Sequence, residues 1–129
     1  MARRTVSDGS SFEQLAGYAR AVRIGSHVAV SGTAALSDGV VFHPGDAYAQ
    51  TREALGRALA AAAELGAAAS DVIRTRLLLV VDCDWHGAVR AHGEVFAGIG
   101  PANTTHFVAG FIPEGVLVEV ELDAVVEGD

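Results

Sequence analysis

Carboxylates at alternating positions near the end of the chain are the first residues whose spacing suggests chemistry. Glu119, Glu121 and Asp123 alternate with Val120 and Leu122, the period of two expected of a strand with one buried face. The three carboxylates therefore share the other face. Glu119 is the best candidate for a general acid or base, because burial in a cleft would raise its pKa toward the working range. The alternative is that all three form a solvated acidic ladder.

A polar run opens the strand that precedes these carboxylates. Asn103, Thr104 and Thr105 follow Pro101 and offer an amide, hydroxyls and backbone N–H groups. This set suits a neutral or weakly anionic ligand, and the alternative is a capped turn after the proline. His106 comes next and is a secondary candidate for ligand binding, with structural burial as its alternative.

Small residues and one helical histidine complete the candidate set. Ser31, Gly32 and Thr33 end a predicted strand, where the missing side chain of glycine lets a ligand approach the backbone closely. His92 belongs to the apolar stripe of a predicted helix, so it either is a satisfied structural histidine or lines a cleft. That stripe consists of Trp85, Val89, His92 and Phe96.

Composition limits the chemistry that this chain can perform. All nine basic residues are arginines, so a lysine Schiff base with a substrate or with pyridoxal phosphate is excluded. The single cysteine, Cys83, rules out an internal disulfide and a cysteine-rich zinc site. The histidines fit no metal-binding spacing, so we expect neither a metal nor an organic cofactor. They are His27, His43, His86, His92 and His106.

Charge and hydropathy restrict the expected partners and location. The net charge is −7, so nucleic acid is not an expected partner, since phosphate neutralisation needs a positive stripe. No run approaches the roughly 18 apolar residues that span a bilayer. Met1-Ala2-Arg3-Arg4 lacks the apolar segment of a secretory signal behind it, so we expect a cytoplasmic protein with no membrane partner. With 129 residues, the chain is expected to form one domain over residues 1–129.

A hairpin, a helix, a strand, a helix and a second hairpin are predicted to position these residues. Gly25-Ser26 closes the first hairpin, and Asp46 caps an alanine-rich helix that runs to Gly66. The β-branched and leucine-rich run from Val72 to Val81 indicates a central strand. Trp85 to Phe96 forms the second helix.

The second predicted hairpin joins the two polar strands through Pro113-Glu114-Gly115. The polar start of its first strand should then lie across from a glutamate of its second. Alternation places Phe107 on the face of Asn103, and we expect helices to cover the opposite face, which carries His106.

These elements predict an α+β fold, a single mixed β-sheet with two α-helices packed on one face. The other face needs cover. Phe107, Leu117 and the segment 31–33 lie where a partner subunit could supply it.

Four stretches match one family in order and spacing. Pro101-Ala102 precedes a threonine run, a β segment, a Pro-Glu turn and Leu117-Val118-Glu119-Val120-Glu121. The earlier stretches are Tyr18-Ala19-Arg20-Ala21-Val22, Val28-Ala29-Val30-Ser31-Gly32-Thr33, and Val72-Ile73-Arg74-Thr75 with Asp82 and Trp85. Together they resemble the YjgF/RidA family, also called the L-PSP endoribonuclease family.

The resemblance implies a chorismate-mutase-like fold that assembles as a homotrimer with clefts between subunits. It also implies that Glu119 activates water in such a cleft, and that the hydroxyl of Tyr18 orients a water or ligand there. Without the family, Tyr18 is an ordinary strand aromatic. The implied activity is cofactor-free hydrolysis or deamination of an imine, an enamine or a related small metabolite.

Asn103 departs from the family pattern. In the deaminating members, the residue two after the signature proline is an arginine that holds the substrate carboxylate by two hydrogen bonds. Asparagine supplies no charge, so deamination of acidic imines does not carry over to this chain by resemblance alone. Two hypotheses therefore stand beside the enzyme: a ligand-binding protein that has lost the chemistry, and a specialised biosynthetic enzyme that performs hydrolysis, dehydration or isomerisation.

Overall fold

The structure of the chain, a computed structural model, describes residues 2–127. Among these residues, no helix combines the length and apolar character needed to cross a membrane. The elements are β1 (Arg3–Val6), α1 (Ser11–Ala16), β2 (Ala21–Ile24), β3 (His27–Thr33), β4 (Leu36–Ser37), β5 (Val40–Val41), α2 (Ala47–Glu64), β6 (Val72–Val80), α3 (Trp85–Val95), β7 (Ala102–Val108) and β8 (Val118–Val125).

Six of the strands form one mixed sheet in the order β1-β2-β3-β8-β6-β7, and β4 and β5 form a separate ribbon. β6 and β7 are parallel and are connected through α3, whereas the other neighbours are antiparallel. The predicted α+β class with a mixed sheet is confirmed, and so is the hairpin that turns at Gly25-Ser26. The short helix α1 is an addition to the two predicted helices.

The predicted hairpin between β7 and β8 is wrong, because β6 lies between these two strands. Asn103 of β7 pairs with Thr75 of β6, whereas Glu119 of β8 pairs with Leu78 on the other side of β6. The connection over residues 109–117 is longer than the about two to five residues of a hairpin loop. The polar start of β7 therefore does not lie across from a glutamate.

α2 packs the alanine-rich stretch against the sheet. The Asp46 side chain accepts a hydrogen bond from the Ala49 N–H at 3.0 Å, which caps the helix as predicted. Leu55 and Ala62 of its apolar stripe are fully buried, and the helix packs on β3 and β8. We call the side of the sheet under α2 and α3 the helix face, and the opposite side the far face.

α3 packs through small residues and through only part of its predicted stripe, since Phe96 is buried in the core and His92 is half-buried. Ala88 is fully buried, and a Cβ atom added at Gly87 would lie 3.3 Å from Cβ of Tyr48 in α2. This close approach leaves Trp85 and Val89 at the surface, 45% and 41% exposed. The prediction that these two side chains face the core is wrong, because only small side chains fit between the two helices.

Strand register decides which face each β7 side chain takes, since residues paired across strands share a face. Phe107 pairs with Leu79, which is buried, so Phe107 lies on the helix face. His106 pairs with Leu78 on the far face. This reverses the predicted assignment of both residues. Leu117, expected at an uncovered face, packs partly buried against the core.

Candidate functional site

Glu119 lies in β8 with its side chain on the far face. Its neighbours Val118 and Val120 are fully buried, so the period of two turns the carboxyl to the opposite side. The residue is half-buried. Burial raises the pKa of the Glu119 carboxyl, the positive charge of Arg20 opposes that rise, and the negative charge of Glu121 adds to it. Such a carboxyl is suited to accept and return a proton closer to neutral pH.

The other two carboxylates of the alternating row lie beside side chains that can carry a positive charge. Glu121 lies 3.3 Å from Nη1 of Arg76, and Asp123 lies 3.7 Å from Nε2 of His27. Within residues 2–127, Glu119 belongs to no ion pair. The three carboxylates therefore differ in their surroundings, and Glu119 is the one whose pKa is raised.

Gly32 of β3 makes room for the Glu119 carboxyl. A Cβ atom at this position would lie only 2.6 Å from Oε1 of Glu119, which is closer than two such atoms can approach. The pairing of β3 with β8 is irregular between Val30 and Thr33, as in a β-bulge, a device that redirects side chains near functional sites. The predicted segment 31–33 thus reaches Glu119 through Gly32.

Arg20 connects this segment to Tyr18. Its Nη1 donates to the carbonyl oxygen of Gly32 at 2.6 Å and to Oγ1 of Thr33 at 2.9 Å. Its Nη2 donates to the Tyr18 hydroxyl at 3.5 Å. Tyr18 is 37% exposed, and this hydrogen bond orients its hydroxyl from one side. Ser31 is less available, because its hydroxyl donates to a backbone carbonyl at 2.6 Å.

Glu13 of α1 supplies the opposite charge to Arg20, and sequence reasoning missed both residues. Glu13 is 3% exposed and accepts hydrogen bonds from Nε of Arg20 at 3.4 Å and from the Ser7 hydroxyl at 2.8 Å. The helix that carries it is capped by Ser10, whose side chain accepts from the Glu13 N–H at 3.2 Å. It ends at Gly17, which has a φ of 78°. The Ser-x-x-Glu spacing and the final glycine are signals that locate such a helix.

A second polar cluster lies on the helix face, where β6 and β7 meet α3. Thr75 is fully buried, and its Oγ1 lies 2.7 Å from Nε2 of His92. The same oxygen accepts a hydrogen bond from Nδ2 of Asn103 at 3.1 Å, and the Thr105 hydroxyl donates to Oδ1 of Asn103 at 2.7 Å. Burial lowers the pKa of His92, and its ring packs against Phe96. His92 is therefore half-buried and also linked to the exposed polar strand.

The structure thus divides the predicted site residues between the two faces. Glu119 and Gly32 meet on the far face, whereas Asn103, Thr105 and His92 meet on the helix face. Thr104 and His106 are also on the far face, where their β6 partners are Arg76 and Leu78. Glu119 pairs with Leu78 from the other side of β6, so His106 and Glu119 occupy one row of the sheet with Leu78 between them.

Cys83 is not an activated nucleophile. Burial raises the pKa of its thiol, and the negative charge of Asp84 adds to that rise, so the thiolate is disfavoured. In the described part of the chain, His, Cys, Asp and Glu side chains form no group of three or more that could hold a metal ion.

Comparisons with known proteins place this geometry in a family. Residues 9–126 match the family model described as endoribonuclease L-PSP. The protein SCO2049 of Streptomyces coelicolor is 43% identical over 121 residues, which cover 94% of this chain and 90% of that protein. The crystal structure of Rv2704 from Mycobacterium tuberculosis, a member of the YjgF/YER057c/UK114 family, is 41% identical with a TM-score of 0.86 and covers 97% of this chain and 100% of that chain.

A more distant structure shows the same fold. The crystal structure of E. coli TdcF with bound serine is 22% identical to this chain, with a TM-score of 0.76, and the match covers 95% of this chain and 93% of that chain. The family match includes both polar clusters, since it runs from before Glu13 to beyond Glu121. The predicted resemblance is confirmed: this chain belongs to the YjgF/Rid family, also described as the endoribonuclease L-PSP family, whose membership fits a small-molecule enzyme or a small-molecule binding protein.

Proposed function

We propose that this chain is a cofactor-free enzyme that hydrolyses the imine or enamine form of a small metabolite, with Glu119 as general base. The observation that carries the proposal is the half-buried carboxyl of Glu119, which lies against Gly32 and whose pKa is raised by burial. Family membership supports a small-molecule ligand. The serine bound to TdcF supports a ligand of about the size of an amino acid.

In the proposed reaction, the Glu119 carboxylate takes one proton from water while the water oxygen bonds to the carbon of a protonated imine. The electron pair of the C=N bond moves to nitrogen and neutralises it. Glu119 then returns the proton to nitrogen, the C–N bond breaks and ammonia leaves, and the hydroxyl proton is released as the carbonyl forms. Tyr18, held by Arg20 at 3.5 Å, orients the attacking water. A carboxyl with a raised pKa suits both transfers.

A cleft that contains both polar clusters requires two copies of the chain. Glu119 lies on the far face and Asn103 on the helix face, with the thickness of the sheet between them. We infer a closed ring of three copies, in which Glu119 of one subunit and Asn103 of the next border the same cleft. This arrangement also covers far-face side chains.

Steady-state hydrolysis of an imine generated in the assay by an amino acid oxidase tests the role of Glu119 in the Asn103→Arg background, because such an imine carries a carboxylate. Removing a general base costs roughly a hundredfold to ten-thousandfold in rate, so we expect a loss of that size in Glu119→Gln. Asp123→Asn is the matched control, because Asp123 shares the strand and the face but lies beside His27, 3.7 Å from its Nε2. Equal losses in both variants, or full activity in Glu119→Gln, would contradict the proposal.

Asn103 separates this chain from deaminating relatives that act on acidic imines. A hydrogen bond to a charged group contributes about 1.5 to 3 kcal/mol, so without an arginine the wild type should bind an acidic imine about tenfold to a hundredfold more weakly. Asn103→Arg should partly restore turnover of such imines, and adding Glu119→Gln should abolish it. Ligand binding without turnover by wild type and Asn103→Arg, on every imine tested, would instead indicate the non-catalytic binding protein.

A further inference from the structure

The hydrogen bonds around Asn103 form a chain with a defined direction. The amide nitrogen of Asn103 can only donate, so Oγ1 of Thr75 accepts from it at 3.1 Å. The proton of the Thr75 hydroxyl is then available for Nε2 of His92, 2.7 Å away. The Thr105 hydroxyl donates to Oδ1 of Asn103 at 2.7 Å. The direction therefore runs from Thr105 through Asn103 and Thr75 to His92.

We assign His92 as the acceptor that ends this chain. Burial lowers the pKa of its imidazole, so the neutral form predominates at physiological pH. The Thr75 contact then assigns the lone pair to Nε2 and the proton to Nδ1. A fully buried threonine and a half-buried histidine thus fix the orientation of an amide that is itself exposed.

The fixed amide of Asn103 has two unused hydrogen-bonding positions. One of its two Nδ2 hydrogens is taken by Thr75, and one of the two lone pairs on Oδ1 is taken by Thr105. One donor and one acceptor remain, both uncharged. A primary carboxamide matches this pair, because its oxygen accepts and its nitrogen donates. A carboxylate does not, because one of its two oxygens would face the lone pair on Oδ1.

Phe107 extends the same surface. It lies on the helix face two positions beyond Thr105 in β7 and is 51% exposed. Its ring is an apolar surface on the same face, about 13 Å along the strand from Asn103 by the rise of four strand residues. The helix face of β7 therefore presents neutral polar groups at Asn103 and an apolar ring at Phe107.

We propose that Asn103 is the specificity residue of the site and takes a primary carboxamide of the substrate where a carboxylate would otherwise bind, with Thr75, Thr105 and His92 as positioning residues. This inference rests on the proposed function and names its substrate class: small imines or enamines that carry a carboxamide. Thr75 and His92 act through Asn103 and do not touch the ligand.

Equilibrium binding of pyruvamide and pyruvate, a matched amide and acid, tests the inference without turnover. We expect purified wild type to bind pyruvamide about tenfold more tightly in a ligand-observed NMR titration, the difference expected of one to two hydrogen bonds. Thr75→Val should reduce the pyruvamide affinity about three- to tenfold, whereas Thr75→Ser, which keeps the hydroxyl, should bind like wild type. Pyruvate affinity should change little in either variant.

A second pair of variants removes the other links of the chain. Thr105→Val is at an exposed position and should fold normally, which keeps the test valid if Thr75→Val unfolds. It should weaken pyruvamide binding in the same way. His92→Leu should also weaken it, whereas His92→Gln, whose side-chain oxygen can accept a hydrogen bond, should bind more like wild type.

The possible outcomes are separable from those of the hydrolysis experiment. Pyruvate binding as tight as pyruvamide binding, no binding of either ligand at tens of millimolar, or unchanged binding in both Thr75→Val and Thr105→Val would overturn the inference. An absence of imine hydrolysis would defeat the proposed reaction and leave the amide preference standing. Equal binding of the two ligands would leave the role of Glu119 standing.

Discussion

Adding one methyl group at Gly32 should displace the Glu119 carboxyl without altering Glu119 itself. The Cβ atom of Gly32→Ala would lie 2.6 Å from Oε1 of Glu119, and ordinary contact begins at 3.4 Å. The oxygen must therefore retreat by about 0.8 Å, the difference between 3.4 and 2.6 Å. Because the contact is with the end of a flexible side chain, the carboxyl can move while the backbone keeps its path.

A displacement of this size should lower the catalytic rate strongly and the stability of the fold only slightly. A misplacement of about 1 Å can cost up to a hundredfold in rate, so we expect kcat of imine hydrolysis to fall about tenfold to a hundredfold in Gly32→Ala. The thermal unfolding midpoint should stay close to that of the wild type. Gly56→Ala is the matched control, because a Cβ atom there meets nothing within 4 Å, and it should keep full activity.

Glu119→Asp provides a further check on the reasoning, since the shorter side chain withdraws from position 32. Gly32→Ala should cost much less in the Glu119→Asp background than in the wild type, because the two changes act on one contact. Full kcat in Gly32→Ala would refute the view that the Glu119 carboxyl reacts from its position beside Gly32. Additive losses in the double variant would refute the view that the methyl group acts through that carboxyl.

Three other predictions concern the pKa of Glu119, the buried side chain of Gln50 and the assembly of the chain. Glu119 must be ionised to act as a base, so kcat/KM should fall as pH drops through its raised pKa. Arg20→Gln removes the positive charge that lowers that pKa, so the acidic limb of the pH–rate profile should move to higher pH. Arg20→Lys keeps the charge and should leave that limb near its wild-type position. Gln50 is fully buried and bonds the His43 and Gly115 carbonyls and the Leu117 N–H, so Gln50→Leu should lower the free energy of unfolding by about 2 to 4 kcal/mol in urea titrations. Light scattering at micromolar concentration should give about three times the chain mass, and a monomer would defeat the shared cleft.

Local patterns predicted the elements that depend on local physics. The long helix follows from an Asp46 cap and leucines at helical spacing, and the first hairpin follows from the two-residue break at Gly25-Ser26. The Pro-Glu-Gly turn between β7 and β8 predicts that these two strands lie side by side. Their separation by β6 depends on contacts distant in sequence. The length of the 109–117 connection is the local feature that argues against a hairpin, because hairpin loops are shorter.

The sequence predicts which residues belong to the candidate site, but it does not predict on which face of the sheet each of them lies. Alternation groups Asn103 with Thr105 and separates both from His106, yet it does not say which group the helices cover. That depends on pairing with β6, where Thr75 and Leu77 are buried. Arg20 was missed because its role comes from folding α1 and the end of β3 around it, which places Glu13 beside it.

The placement of Glu119 and Asn103 on opposite faces of the sheet has a genetic consequence. In the proposed ring, a subunit defective at Glu119 and one defective at Asn103 spoil different halves of a cleft, so mixing the two inactive proteins should regenerate some intact clefts. A subunit defective at both positions disables both clefts that it borders. An allele defective only at Glu119 and an allele defective only at Asn103 would therefore complement each other. An allele defective at both positions would be dominant in proportion to its expression.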